Sequence, residues 1–185
     1  MLLSVFISRA QGNIDFGVTA GFINGSGDIS IAGFDLGDIS DDLDVINGGG
    51  FFVGLLAEIE ATEKLFIQPE VLYSSIGDEG AIIIPVMAKY YIADSFNLQA
   101  GPQLDFLTGI PDLVKEAIKT VGFSLGFGAG YDINESFAVQ AKYTVGLTNR
   151  IDNDLSDLIP GSISGILSPE LKTDTFQIGV VYKFN

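Results

Sequence analysis

The chain has 185 residues, 47% of them hydrophobic, with a mean hydropathy of +0.39 and a formal net charge of −15. Its longest uninterrupted apolar run is Ala81–Ala88, with Pro85 inside it. That is far short of the roughly 18 residues a transmembrane helix requires, so a bilayer could be crossed only by a closed β-barrel, because lipid offers unpaired backbone groups no partner. The absence of cysteine and histidine removes disulfides, thiolate sites and the commonest general base and metal ligand, and the acidic balance disfavours nucleic acid, which needs clustered Lys and Arg.

Taken in order, the first residues read as processing. Leu2, Leu3, Val5, Phe6 and Ile7 precede Ser8-Arg9-Ala10, and small residues at Ser8 and Ala10 fit a signal-peptidase cut after Ala10. Residues 1–10 are therefore expected to be residual signal peptide and 11–185 one barrel domain. From Gln11 onward the sequence alternates with period two, the mark of strands.

In the first segment Ile14, Phe16, Val18, Ala20 and Phe22 oppose Asp15, Gly17, Thr19 and Gly21. The second sets Phe51, Val53, Leu55, Ala57 and Ile59 against Phe52, Gly54, Leu56, Glu58 and Glu60. The third sets Leu65, Ile67, Pro69, Val71 and Tyr73 against Phe66, Gln68, Glu70, Leu72 and Ser74. In the fourth, Ile82, Ile84, Val86, Ala88 and Tyr90 oppose Ile83, Pro85, Met87, Lys89 and Tyr91. The fifth alternates from Phe96 to Phe106, with Asn97, Gln99, Gly101, Gln103 and Asp105 on its polar side. The sixth runs from Val121 to Tyr131 against Gly122, Ser124, Gly126, Gly128 and Gly130, the seventh from Phe137 to Leu147 against Ala138, Gln140, Lys142, Thr144 and Gly146, and the eighth from Phe176 to Phe184 against Gln177, Gly179, Val181 and Lys183.

Each segment has roughly the 9–13 residues that a tilted strand needs to cross a bilayer. The connections alternate in length. Ala61–Lys64, Ile92–Ser95 and Asp132–Ser136 are short, whereas Ile23–Gly50, Thr108–Thr120 and Asn149–Asp174 are long and only Ser75–Gly80 breaks the parity. Short periplasmic turns and longer outer loops are the pattern of an outer-membrane barrel. The long connections collect acidic residues: Asp28, Asp35, Asp38, Asp41, Asp42 and Asp44 in the first, and Asp152, Asp154, Asp157 and Glu170 in the last. Pro111, followed by Leu113, Val114, Ala117 and Ile118 on one stripe, predicts a turn or two of helix within a loop. The expected fold is thus an all-β, eight-stranded antiparallel up-and-down transmembrane barrel.

Several stretches carry a resemblance: Gln68-Pro69-Glu70-Val71-Leu72-Tyr73-Ser74, Ile84-Pro85-Val86 with Lys89-Tyr90-Tyr91, Ala100-Gly101-Pro102-Gln103-Leu104, Gly126–Tyr131, Lys142–Leu147 and Val181-Tyr182-Lys183-Phe184. In this order they resemble the small outer-membrane β-barrel proteins of Bacteroidetes, the PorT-like or outer membrane protein beta-barrel domain group. The resemblance spans nearly the whole chain after residue 10. It implies the barrel fold, a cell outer membrane location, insertion by the barrel-assembly machinery, and no defined activity.

The candidate chemistry lies on the presumed lumen face. Glu58, Glu60, Glu70, Lys89 and Lys142, with Lys183 and Asp105 beside them, are expected to pair there, because isolated buried charge costs several kcal/mol. Gln68, Gln99, Gln103, Gln140 and Gln177 are expected to complete a polar network in a lumen too narrow for an open pore. Glu58 and Glu60 as a glycosidase pair would need a substrate cleft that such a lumen lacks. The alternate glycines from Gly122 to Gly130 have the spacing of a strand face, and no Gly-Lys-Ser/Thr follows them to make a phosphate loop. Asp41-Asp42-Leu43-Asp44 and Asp152-Asn153-Asp154 offer hard oxygen ligands for Ca²⁺ without the EF-hand spacing. The expectation is a monomeric, non-enzymatic barrel with a structural or interaction role and no cofactor or metal, plugged by that salt-bridged polar network, whose outer loops meet a protein partner or the environment. A narrow channel or transporter for ions or small solutes is the alternative, and a soluble ligand-binding barrel the second alternative.

Overall fold

A computed structural model describes residues 13–31, 34–35, 48–77, 79–108, 119–150 and 169–184. The described residues form nine strands: β1 (Ile14–Ile31), β2 (Phe34–Asp35), β3 (Gly48–Thr62), β4 (Leu65–Ile76), β5 (Glu79–Ala93), β6 (Phe96–Thr108), β7 (Val121–Asp132), β8 (Phe137–Gly146) and β9 (Pro169–Phe184). All neighbours are antiparallel and sequential apart from β2, a two-residue ribbon on the outer end of β1. The remaining eight close on themselves through β1–β9 pairing, from Phe16↔Phe184 to Ile31↔Pro169. Closure leaves the ring no unpaired edge, the condition for a sheet in lipid.

The register measures the stagger of that closure. Starting at Ile14, the paired residues run through Ile59, Ile67, Ala88, Ala100, Phe127, Tyr143 and Phe176, and return to β1 at Asn24, ten residues along the strand. A shear of ten on eight strands tilts each strand by roughly 40–45° to the axis. Eight strands keep the barrel narrow, and the tilt sets which lumen side chains share a level.

At the turn end the connections are tight. Asn134 Oδ1 accepts from the backbone of Ser136 at 2.9 Å and Phe137 at 2.8 Å, and Thr62 Oγ1 accepts from Leu65 N at 3.1 Å. At the opposite end β4 turns into β5 over Gly77, whose φ of 58° favours glycine.

The period-two faces fall where the alternation puts them. The outward face is apolar and exposed: Val53, Leu55, Val71, Val86, Leu98, Val139, Ile178 and Val180 form its middle. Phe16, Tyr90, Phe96, Tyr131, Phe137, Tyr182 and Phe184 ring the turn end, and Phe22, Phe51, Tyr73, Phe123, Tyr143 and Phe176 ring the loop end. An apolar belt continuous around a barrel far exceeds the patches that water-soluble proteins expose. It matches the band between two aromatic girdles that a bilayer requires, and it sets aside the soluble ligand-binding alternative.

Two boundaries differ most from the sequence reading. β1 continues to Ile31 and β9 begins at Pro169, so parts of the two longest connections are strand. These extensions pair with each other, and that ladder holds even where Gly25, Gly27 and acidic residues interrupt the apolar alternation. The helix expected over 111–118, residues 1–10, Asp38–Asp44 and Asp152–Asp157 lie outside the described residues, as do the side chains of Asp28, Asp35 and Glu170.

Candidate functional site

The inward face is polar because a side chain there meets other side chains, not lipid. Among the described residues three sets of paired charge occupy it. Near the turn end Glu58 on β3 accepts from both Lys89 on β5 and Lys183 on β9, the latter at 3.2 Å. Lys89 Nζ also lies 5.7 Å from the centre of the Tyr91 ring, within cation–π range. Tyr91 packs edge-on against Phe66 at 5.3 Å and donates to Asp132 Oδ2 at 2.7 Å. In the middle, Lys142 on β8 donates to Glu70 Oε1 and Oε2 on β4 at 2.6 and 2.8 Å. Toward the loop end Arg150, four residues past the end of β8, pairs with Asp105 on β6.

The amides link the middle set across the barrel. Gln68 Nε2 donates to Glu70 Oε1 at 2.6 Å and reaches Gln140 Oε1 at 3.5 Å, and Gln140 Nε2 reaches Thr19 Oγ1 at 3.4 Å. Thr19 Oγ1 in turn donates to Val180 O at 3.0 Å. Gln99 Nε2 donates to Asn97 Oδ1 at 2.9 Å, while Gln103 and Gln177 are buried along the wall. Glu60 points inward but is only half-buried at the end of β3, and takes part in none of these ion pairs.

Apolar side chains separate the charged sets. Leu56, Ala138 and Val181 pack together toward the turn end, and Ile23, Phe52, Leu72 and Ile83 toward the loop end. Alternate glycines of β7 make room for the polar ones. A Cβ on Gly128 would lie 2.9 Å from Lys142 Cγ, and one on Gly122 would lie 2.5 Å from Arg150 Nη2 and 2.8 Å from Asp105 Oδ1. Gly130 gives the same space to the amides of Asn97 and Gln99, within 2.9 Å.

At the turn end the lumen widens to a vestibule of about 650 Å³ ringed by Asp15, Glu63, Asp94, Asp132 and Glu135. Among the described residues no group of three or more Asp or Glu is arranged to hold a metal ion. The acidic runs considered for Ca²⁺ lie outside them.

Arg150 is the lumen residue that sequence reasoning missed. It falls beyond the last alternating position of its strand, inside what reads as a loop. The available signal was an arginine four residues past a strand end, with an inward Asp105 two strands away.

The family model of the outer membrane protein beta-barrel domain matches residues 1–184. Among solved structures, the chain is similar to Neisserial surface protein A, at 14% identity over 93% of this chain and 99% of that one, with a TM-score of 0.53. It is also similar to Ail, the attachment invasion locus protein of Yersinia pestis (14% identity, 92% and 98% covered, TM-score 0.47), and to the outer membrane protein OprG from Pseudomonas aeruginosa (15%, 94% and 97%, 0.45). At such identities the likeness to the Neisserial protein is one of fold. No curated protein matches the chain.

Proposed function

The chain belongs to the outer membrane protein beta-barrel domain family, and from that premise we propose that it is a sealed, non-enzymatic barrel, a rigid support for outer loops that meet a partner. It is an outer-membrane protein whose apolar belt sits in the lipid bilayer. The observation that carries the sealed reading is the bridging of the lumen. Glu70 and Lys142 join opposite walls, with apolar clusters on either side of them along the axis. An ion following the axis would have to break a buried pair that costs several kcal/mol to open.

The non-enzymatic reading rests on the side chains available. The chain has no histidine or cysteine, and the buried carboxylates Glu58, Glu70 and Asp105 are each neutralised by a lysine or arginine. A carboxylate held in that way is a poor base or nucleophile. The motifs from Gln68 to Phe184 further support a place among the PorT-like barrels of Bacteroidetes, with insertion by the barrel-assembly machinery and a monomeric state.

Planar-bilayer recording tests the reading. The refolded wild-type chain gives no discrete current steps. Glu70→Ala and Lys142→Ala raise the leak above the wild-type baseline. Reproducible wild-type steps that change in size on Glu70→Ala or Lys89→Ala would overturn the sealed reading in favour of a narrow channel.

A further inference from the structure

Beyond the Ile23, Phe52, Leu72 and Ile83 cluster, at the loop end of the lumen, lies a cavity of about 60 Å³. Its lining brings aliphatic Ile23, Ile83 and Leu107 together with Thr173, Thr175, Asp105 and Arg150. Arg150 is 5% exposed, and its Nη2 is taken by Asp105. Among the described residues its Nη1 has no hydrogen-bond partner, nor do Thr173 Oγ1 and Thr175 Oγ1. A buried guanidinium nitrogen without an acceptor is a costly arrangement. Unmet polar atoms beside aliphatic side chains in one small space are the complement of an amphipathic molecule.

The geometry points to a binding site for a small neutral amphipath, a short hydrocarbon bearing one carbonyl oxygen. The oxygen accepts from Arg150 Nη1, with the threonine hydroxyls beside it, and the hydrocarbon lies against Ile23 and Ile83. Neutrality follows from charge. Asp105 already balances Arg150, so a carboxylate would bring an unbalanced charge into a largely apolar enclosure. Size follows from volume, since the space holds a handful of waters and hence a ligand of about five or six heavy atoms. The apolar cluster lies between this site and Glu70 and Lys142, so the site stands whether or not the barrel conducts.

The full chain, refolded in detergent with labelled isoleucine methyls and arginine nitrogens, is titrated by NMR with 2-pentanone, n-pentane and butanoate at neutral pH. The ketone produces saturable shifts at Ile23, Ile83 and the Arg150 guanidinium, while outward Ile178 reports only unsaturable partitioning into the micelle. Pentane lacks the acceptor and butanoate carries the charge, so each binds roughly ten-fold or more weakly. Ala81→Leu, which fills the cavity without altering Arg150 or Asp105, abolishes saturation; Ser124→Leu does the same from another strand and serves if the first variant does not fold. Shifts that never saturate mean that the cavity holds water alone and overturn the proposal. So does butanoate binding as tightly as the ketone, or saturation unchanged in the filled variants.

Discussion

Lys142 and Glu70 stand on β8 and β4, four strands apart in a ring of eight and so on opposite walls, and the lysine Nζ contacts both carboxylate oxygens at 2.6 and 2.8 Å. Both side chains are almost wholly buried. The pair ties the walls across the axis, and neither charge has water to fall back on. Lys142→Met should therefore lower the unfolding free energy by about 3–5 kcal/mol, because Glu70 is left buried and unpaired. The double variant Lys142→Met with Glu70→Leu should recover most of that loss. Urea titration followed by circular dichroism and by the gel-mobility difference between folded and unfolded barrel measures both; tryptophan fluorescence is no guide, since the chain has none.

Glu58 differs in holding two lysines. Losing Lys183 leaves a neutral Glu58–Lys89 pair, so Lys183→Met should cost less than about 2 kcal/mol in the same titration. Losing both lysines strands the carboxylate and should cost about 3–5 kcal/mol. A single Lys183→Met variant as damaging as Lys142→Met would contradict the shared arrangement.

The glycines of β7 divide into two kinds. A Cβ at Gly128 would meet Ala141 O at 2.5 Å and Lys142 Cγ at 2.9 Å, whereas at Gly126 its nearest neighbour would be Met87 Cε at 3.5 Å. Gly128→Ala should thus destabilise by about 1–3 kcal/mol through overpacking. Gly126→Ala should be neutral or stabilise by up to about 1 kcal/mol, through the lower entropy of its unfolded chain. Comparing midpoints of the two variants in one denaturant series decides the matter.

The lipid face should show depth dependence. Val180 lies in the middle of the outward belt and Phe184 at its turn-end ring, on the same strand. Val180→Lys should reduce equilibrium folding into phospholipid vesicles by about 2–4 kcal/mol, and Phe184→Lys by about 0–1 kcal/mol beyond the loss of the ring itself. Equal penalties at the two positions would argue that the belt is not centred in the bilayer.

What the sequence determined by itself is the direction of the side chains in its eight alternating segments. Alternation is local: once Glu70 lies between outward Pro69 and Val71, it must face in, and the same holds for Lys89 between Ala88 and Tyr90. The faces and the number of strands in the closed ring were legible for that reason. The tertiary structure decided who meets whom. Partners such as Glu70 and Lys142 are 72 residues apart, and their level in the barrel depends on the ten-residue stagger accumulated around the whole ring, which no single segment encodes. The same non-local geometry left Glu60 at the rim, outside the ion pairs. It also brought Arg150 into the lumen: its backbone accepts from Lys119 N at 2.8 Å beside β7, which carries the guanidinium to Asp105.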